Sequence, residues 1–88
     1  MSAGWDRRRV VEVDKRHVWH PYTPMKAWVE DTVPLVIERA SGSMLHDVDG
    51  RSYIDGISSW WVAALGHGHP RIVAAATDQL RTLGHVSM

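Results

Sequence analysis

The chain has 88 residues, 44% of them hydrophobic, with ten basic and ten acidic side chains and no cysteine. Its length limits it to one small domain or a segment of a larger one. The absence of cysteine excludes disulfides and thiolate metal sites, and the zero net charge supplies no global field to draw nucleic acid or an acidic membrane surface.

The N-terminal stretch MSAGWDRRRVVEVDKRH has no apolar core of the kind a signal peptide needs. Asp6, Glu12 and Asp14 among its arginines argue against a transit peptide. No run is long or apolar enough to span a bilayer, and the expected location is the cytoplasm. Within residues 5–19, Val10, Val13 and His17 fall on one helical face and Glu12 and Arg16 are four apart, which predicts a short helix. WHPYTPM follows, and Pro21 and Pro24 push it toward an ordered loop.

VPLVIERA, residues 33–40, reads as a strand and Ser41-Gly42 as a turn. A second strand is expected over 43–48, with Met44, His46 and Val48 on one face. Asp49-Gly50 is the strongest hairpin signal in the chain, returning it as a third strand over 51–57. ISSWWVAALGHG is expected as a loop. Pro70 then suits a first helical turn, Ile72, Ala76, Leu80 and Leu83 form an apolar stripe, and Gly84 is a natural stop. The expected fold is an α+β segment: an N-terminal helix, a three-stranded antiparallel meander and one helix. One helix covers only part of a sheet, which leaves apolar residues such as Leu35, Ile37 and Ile54 without cover. The chain is therefore expected to need a partner, either more of its own polypeptide or another subunit.

Among the candidate sites, His67 and His69 form an i,i+2 pair with no third ligand at a recognisable spacing. A closed zinc site takes about four ligands. His69 is expected at a helix N-cap and His67 in a glycine-supported turn. Arg7, Arg8 and Arg9, diluted by acids, are expected on a solvated helix face. His46, Asp47, Asp49 and Asp55 lack a nucleophile pattern and are expected to be structural, Asp49 in the turn and Asp55 at a strand end. Lys15 and Lys26 are the only amines, and neither lies where burial would lower its pKa. Tyr22, Trp60 and Trp61 remain. If residues 60 and 61 were extended, their side chains would point to opposite faces, and one indole would be presented outside the local core. Aromatics on rigid loops line ligand pockets or close small cores, and composition leaves both roles open.

Three stretches taken together carry a resemblance: WHPYTPM at 19–25, DVDGRSYIDGISSWWVAALGHGHP at 47–70, and the helix ending in GHVSM. The pattern D-x-D-G-x-x-Y-I-D-G followed by L-G-H-x-H-P resembles the N-terminal region of the class III, pyridoxal-phosphate-dependent aminotransferases. The WHPYT loop and the S-S-W-W pair are similar to the branch that uses S-adenosylmethionine as amino donor and 8-amino-7-oxononanoate as acceptor in biotin synthesis. The resemblance implies a fold-type I enzyme with a large α/β domain and a small domain, built as a homodimer. Residues 1–88 would be its N-terminal segment, with the rest of both domains outside this chain.

It further implies that Tyr22, Trp60 and Trp61 belong to the substrate pocket. No catalytic residue and no cofactor-binding residue is expected in this chain, because the Schiff-base lysine and the phosphate-binding residues of the family lie beyond position 88. The chain alone is thus expected to be inactive. Pro24 departs from the Ser or Gln frequent in the family and stiffens the loop around Tyr22. Two other readings are another class III enzyme acting on an ω-amino acid or amine, and a free-standing binding module built on loop aromatics.

Overall fold

The computed structural model describes residues 4–88. Its elements run α1 (Arg7–His17), α2 (Met25–Asp31), β1 (Ile37–Ser41), β2 (Met44–Asp47), β3 (Ser52–Ile54), α3 (Ser58–Trp61) and α4 (Pro70–Thr82). The strands form one antiparallel sheet in the order β1-β2-β3, as the meander signal predicts. The contacts divide into two units. The first holds the described residues through Arg39 together with His46–Tyr53, and the second Ala40–Leu45 with Ile54–Met88.

In the first unit, α1 starts where Asp6 Oδ1 accepts the Arg9 N–H at 3.2 Å, satisfying one of the helix's orphan donors. Lys15, Arg16 and His17 occupy its last turn, the favourable end of the macrodipole for cations. The expected Glu12–Arg16 pair is present at 3.3 Å. α2 is an element not expected from the sequence. Pro24 is its N-cap, so the proline read as a loop signal also sets the backbone from which MKAWVED winds. Lys15 Nζ donates to the carbonyls of Val29 at 3.0 Å and Thr32 at 2.7 Å. α1 thereby caps the C-terminal end of α2, whose own last turn holds no basic residue.

β1 begins four residues later than predicted. Pro34 cannot donate to a ladder, and the pairing with the next strand reaches upstream of β1 only as far as the Val36 carbonyl, which accepts the Val48 N–H at 3.0 Å. The tight turn after β2 follows the Asp-Gly signal, with Gly50 at φ 85°. The carboxylate that holds this turn is that of Asp47, not Asp49. Asp47 Oδ1 accepts the N–H groups of Asp49 and Arg51 at 3.0 and 2.8 Å, and Oδ2 accepts the Tyr53 hydroxyl at 3.0 Å. Asp49 instead pairs outward with Arg7 at 3.4 Å.

β3 stops at Ile54, short of the predicted residue 57: the Asp55 N–H still reaches the Ser43 carbonyl at 2.8 Å, and the chain then turns, the Ser58 N–H donating to the Asp55 carbonyl at 3.3 Å. His69 caps α4 as expected, its Nδ1 accepting the Arg71 N–H at 3.3 Å. The helix ends at Thr82 with Leu83 extended. Gly84 stands just past the C-cap Leu83, the stop position expected of it, without the left-handed backbone that the glycines at 4, 42, 50, 66 and 68 adopt.

Among the described residues no apolar side chain is buried, and Asp47, at 2% exposure, is the one buried polar residue. The accessible surface is 7566 Å², where a folded monomer of 9.9 kDa exposes about 5,200 Å². Leu35, Ile37 and Ile54, expected to lack cover, are 59%, 40% and 77% exposed.

Candidate functional site

The three aromatics singled out from sequence lie in separate units, Tyr22 in the first and Trp60 and Trp61 in the second. All three stand out in the same physical way. Tyr22 has φ 54° and is 91% exposed. Trp60 and Trp61 have φ 64° and 67° and are 67% and 82% exposed. Left-handed backbone at a bulky residue is uphill by about 1–3 kcal/mol and concentrates at functional positions.

The Tyr22 loop is fixed on both sides. Before it, His20 Nε2 meets both oxygens of Asp14 at 2.8 and 2.9 Å. The His20 ring also lies 4.4 Å from that of Trp28, tilted by 48°. Trp28 Nε1–H donates to Asp14 Oδ2 at 2.9 Å, so a single carboxylate joins α1, the loop and α2. After it, the Thr23 hydroxyl donates to the Pro21 carbonyl at 2.8 Å. This Asp14–His20–Trp28 cluster was not anticipated. Nothing in local spacing marks it, since it joins residues 14 apart.

The SSWW segment is neither an extended strand nor an open loop. α3 is one turn wound left-handed, with φ 51°, 47°, 64° and 67° at Ser58, Ser59, Trp60 and Trp61. The expectation of indoles on opposite faces of an extended segment is corrected accordingly: the backbone curls and both rings face out. The Trp61 N–H reaches the Ile57 carbonyl at 3.0 Å and that of Ala63 the Ser58 carbonyl at 3.0 Å. A left-handed turn costs L-residues about 1–2 kcal/mol each, so four non-glycine residues need outside support. Asp55 bonds this turn: its Oδ1 accepts the Ser59 N–H at 3.0 Å and its Oδ2 the Ser59 hydroxyl at 2.7 Å. The same Oδ2 meets His67 Nε2 at 2.7 Å.

His67, placed in a glycine-supported turn as expected, pairs with Gly42 through two backbone bonds of 3.0 and 2.8 Å. Gly66, at φ 84°, lets the two segments approach, since a Cβ there would sit 3.2 Å from Gly42 Cα. Gly66→Ala is expected to destabilise this unit by about 1–3 kcal/mol, read as loss of protection at the Gly42 and His67 amides.

Three carboxyls sit below their ordinary value of 3.8. Asp14 is lowered chiefly by its bond from His20, and Asp55 by His67 and then Ser59. Burial works to raise Asp47, but bonds from the Arg51 N–H, the Tyr53 hydroxyl and the Asp49 N–H together hold it down. A depressed folded pKa contributes stability above the unfolded value and loses it as pH falls through the folded one. Both units are therefore expected to hold their stability down to about pH 4 and to lose it progressively below, as a circular-dichroism titration would record.

A sequence profile of the family "Aminotransferase class-III" matches residues 25–88. The chain is 41% identical over 80 residues to adenosylmethionine-8-amino-7-oxononanoate aminotransferase of Nitratidesulfovibrio vulgaris, covering 91% of this chain and 15% of that protein. Its backbone matches the crystal structure of adenosylmethionine-8-amino-7-oxononanoate aminotransferase from Methanocaldococcus jannaschii with a TM-score of 0.79 at 36% identity, covering 94% of this chain and 19% of the other. It matches the omega transaminase of Pseudomonas jessenii in complex with PMP at 0.75 and 36%, covering 89% and 17%. The chain thus spans less than a fifth of the length of each.

Proposed function

The chain belongs to the class III aminotransferases, and on that premise we propose that residues 1–88 are the N-terminal segment of a transaminase with large and small domains. This enzyme moves an amino group from S-adenosylmethionine to 8-amino-7-oxononanoate, giving 7,8-diaminononanoate in biotin synthesis. The observation that carries this reading is the outward-facing indole pair on a left-handed turn, in a segment 41% identical to a relative named for that reaction.

The residue types suit these substrates. The acceptor is a long aliphatic chain with an amine, a ketone and a carboxylate. An indole face covers methylenes, each worth about 0.8 kcal/mol when buried, and the Tyr22 hydroxyl can hydrogen-bond the amine or ketone end. The donor is a sulfonium, which an electron-rich ring attracts. In this reading Trp60 and Tyr22 form parts of the wall and Trp61 stands beside Trp60.

Pyridoxal phosphate supplies the electron sink for amino transfer in this class, and its anchor is a lysine amine. The amines in this chain do not fit that role. Lys15 Nζ is bonded to two carbonyls, and Lys26 lies exposed on α2. The cofactor is therefore assigned to parts of the enzyme outside this chain, and the whole enzyme is proposed to be a homodimer. The cytoplasm is the proposed location.

A second reading, an omega-amine transaminase, is favoured by the equal 36% identity to the Pseudomonas jessenii protein. A chimera separates the two. This chain replaces the matched fifth of the Methanocaldococcus jannaschii enzyme, and amino transfer is measured with S-adenosylmethionine or a simple ω-amine as donor. The first reading expects S-adenosylmethionine to serve and the ω-amine to fail. The reverse result supports the second.

A further inference from the structure

We propose that Asp55 is the positioning residue of the indole pair: its carboxylate clamps Ser59 to His67 and so holds α3 in the left-handed form that sets where Trp60 and Trp61 point. For its functional meaning this rests on the reading of those rings as a substrate wall.

The hydrogen bonds inside α3 do not choose its hand. A bond from residue 61 to the carbonyl of residue 57 closes a turn of either hand, and for L-residues the right-handed one is lower in energy. The segment ISSWW has no glycine or asparagine to ease the left-handed form. The choice must come from contacts that fix the turn from outside. Asp55 provides three of these bonds. Its side chain is 6% exposed, and both oxygens are engaged, Oδ1 by the Ser59 N–H and Oδ2 by the Ser59 hydroxyl and His67 Nε2.

Ser59, at φ 47° and ψ 61°, sits inside the turn, so fixing its N–H and hydroxyl at once fixes its backbone. His67 cannot follow a shift of the carboxylate, because two backbone bonds pin it to Gly42. Asp55 thus transmits the rigidity of the Gly42–His67 pairing to the residue immediately before the indoles. Its role is to hold geometry, not to touch substrate.

The test is nuclear magnetic resonance on the chimera described above, with residues 1–88 segmentally isotope-labelled and no substrate present. Residues with positive φ give an intense intraresidue amide–Hα Overhauser effect. Wild type is expected to show it at residues 58–61. Asp55→Ala is expected to abolish it there and to shift the indole N–H signals of Trp60 and Trp61, while the Gly42 and His67 amides stay protected. Ser59→Ala, a milder change, is expected to weaken it. Asp55→Asn is expected to keep it in part, because the amide oxygen can still accept the Ser59 N–H.

Two results overturn the proposal. One is a left-handed signature unchanged in Asp55→Ala. The other is loss of both the signature and the Gly42–His67 protection in Asp55→Asn as well as Asp55→Ala, which would make Asp55 a general fold stabiliser. Neither touches the substrate-wall reading, which is measured with ligand.

Discussion

In the chimera described above, Trp60→Ala is expected to lower kcat/KM for 8-amino-7-oxononanoate by about 50-fold. If the indole covers about three methylenes at roughly 0.8 kcal/mol each, its loss removes about 2.4 kcal/mol, and each 1.4 kcal/mol is tenfold. The change should fall mainly on KM, because covering the aliphatic chain stabilises bound substrate and transition state alike. Trp60→Phe, which keeps an apolar ring, should recover part of the loss. Unchanged kinetics in Trp60→Ala would remove this ring from the substrate wall.

The second large effect concerns the chain on its own. With no buried apolar side chain among the described residues and 7566 Å² of accessible surface, it is expected to melt broadly and to bind a hydrophobic dye strongly. It is also expected to transfer no amino group, since neither Lys15 nor Lys26 is placed as a cofactor anchor. Inside the chimera the same segment should melt cooperatively and the dye signal should vanish, because Leu35, Ile54 and the other exposed apolar residues gain cover. A sharp, dye-silent transition of the isolated chain would instead support the free-standing binding module.

Much of the fold was legible because it follows local rules. The apolar stripe of α4 behind Pro70, the N-cap at His69 and the Asp-Gly turn each depend on a few adjacent residues. α2 was missed because its start lies behind two prolines, which read as loop when the helix they introduce is only seven residues long. The hand of α3 was not legible at all, since Ser and Trp do not favour positive φ and the support comes from Asp55 and His67. The same reason hid the Asp14–His20–Trp28 cluster: carboxylate bridges between distant residues leave no periodic trace. Tyr22, Trp60 and Trp61 could be named from their motifs, but their strained backbone, the physical reason to suspect them, appears only in three dimensions.

The measurement that bears most directly on the account is a crystal structure of the chimera with 8-amino-7-oxononanoate bound. The account predicts the rings of Tyr22 and Trp60 within about 4 Å of the ligand, with α3 still wound left-handed. Both rings packed against protein, with the ligand held elsewhere, would contradict it.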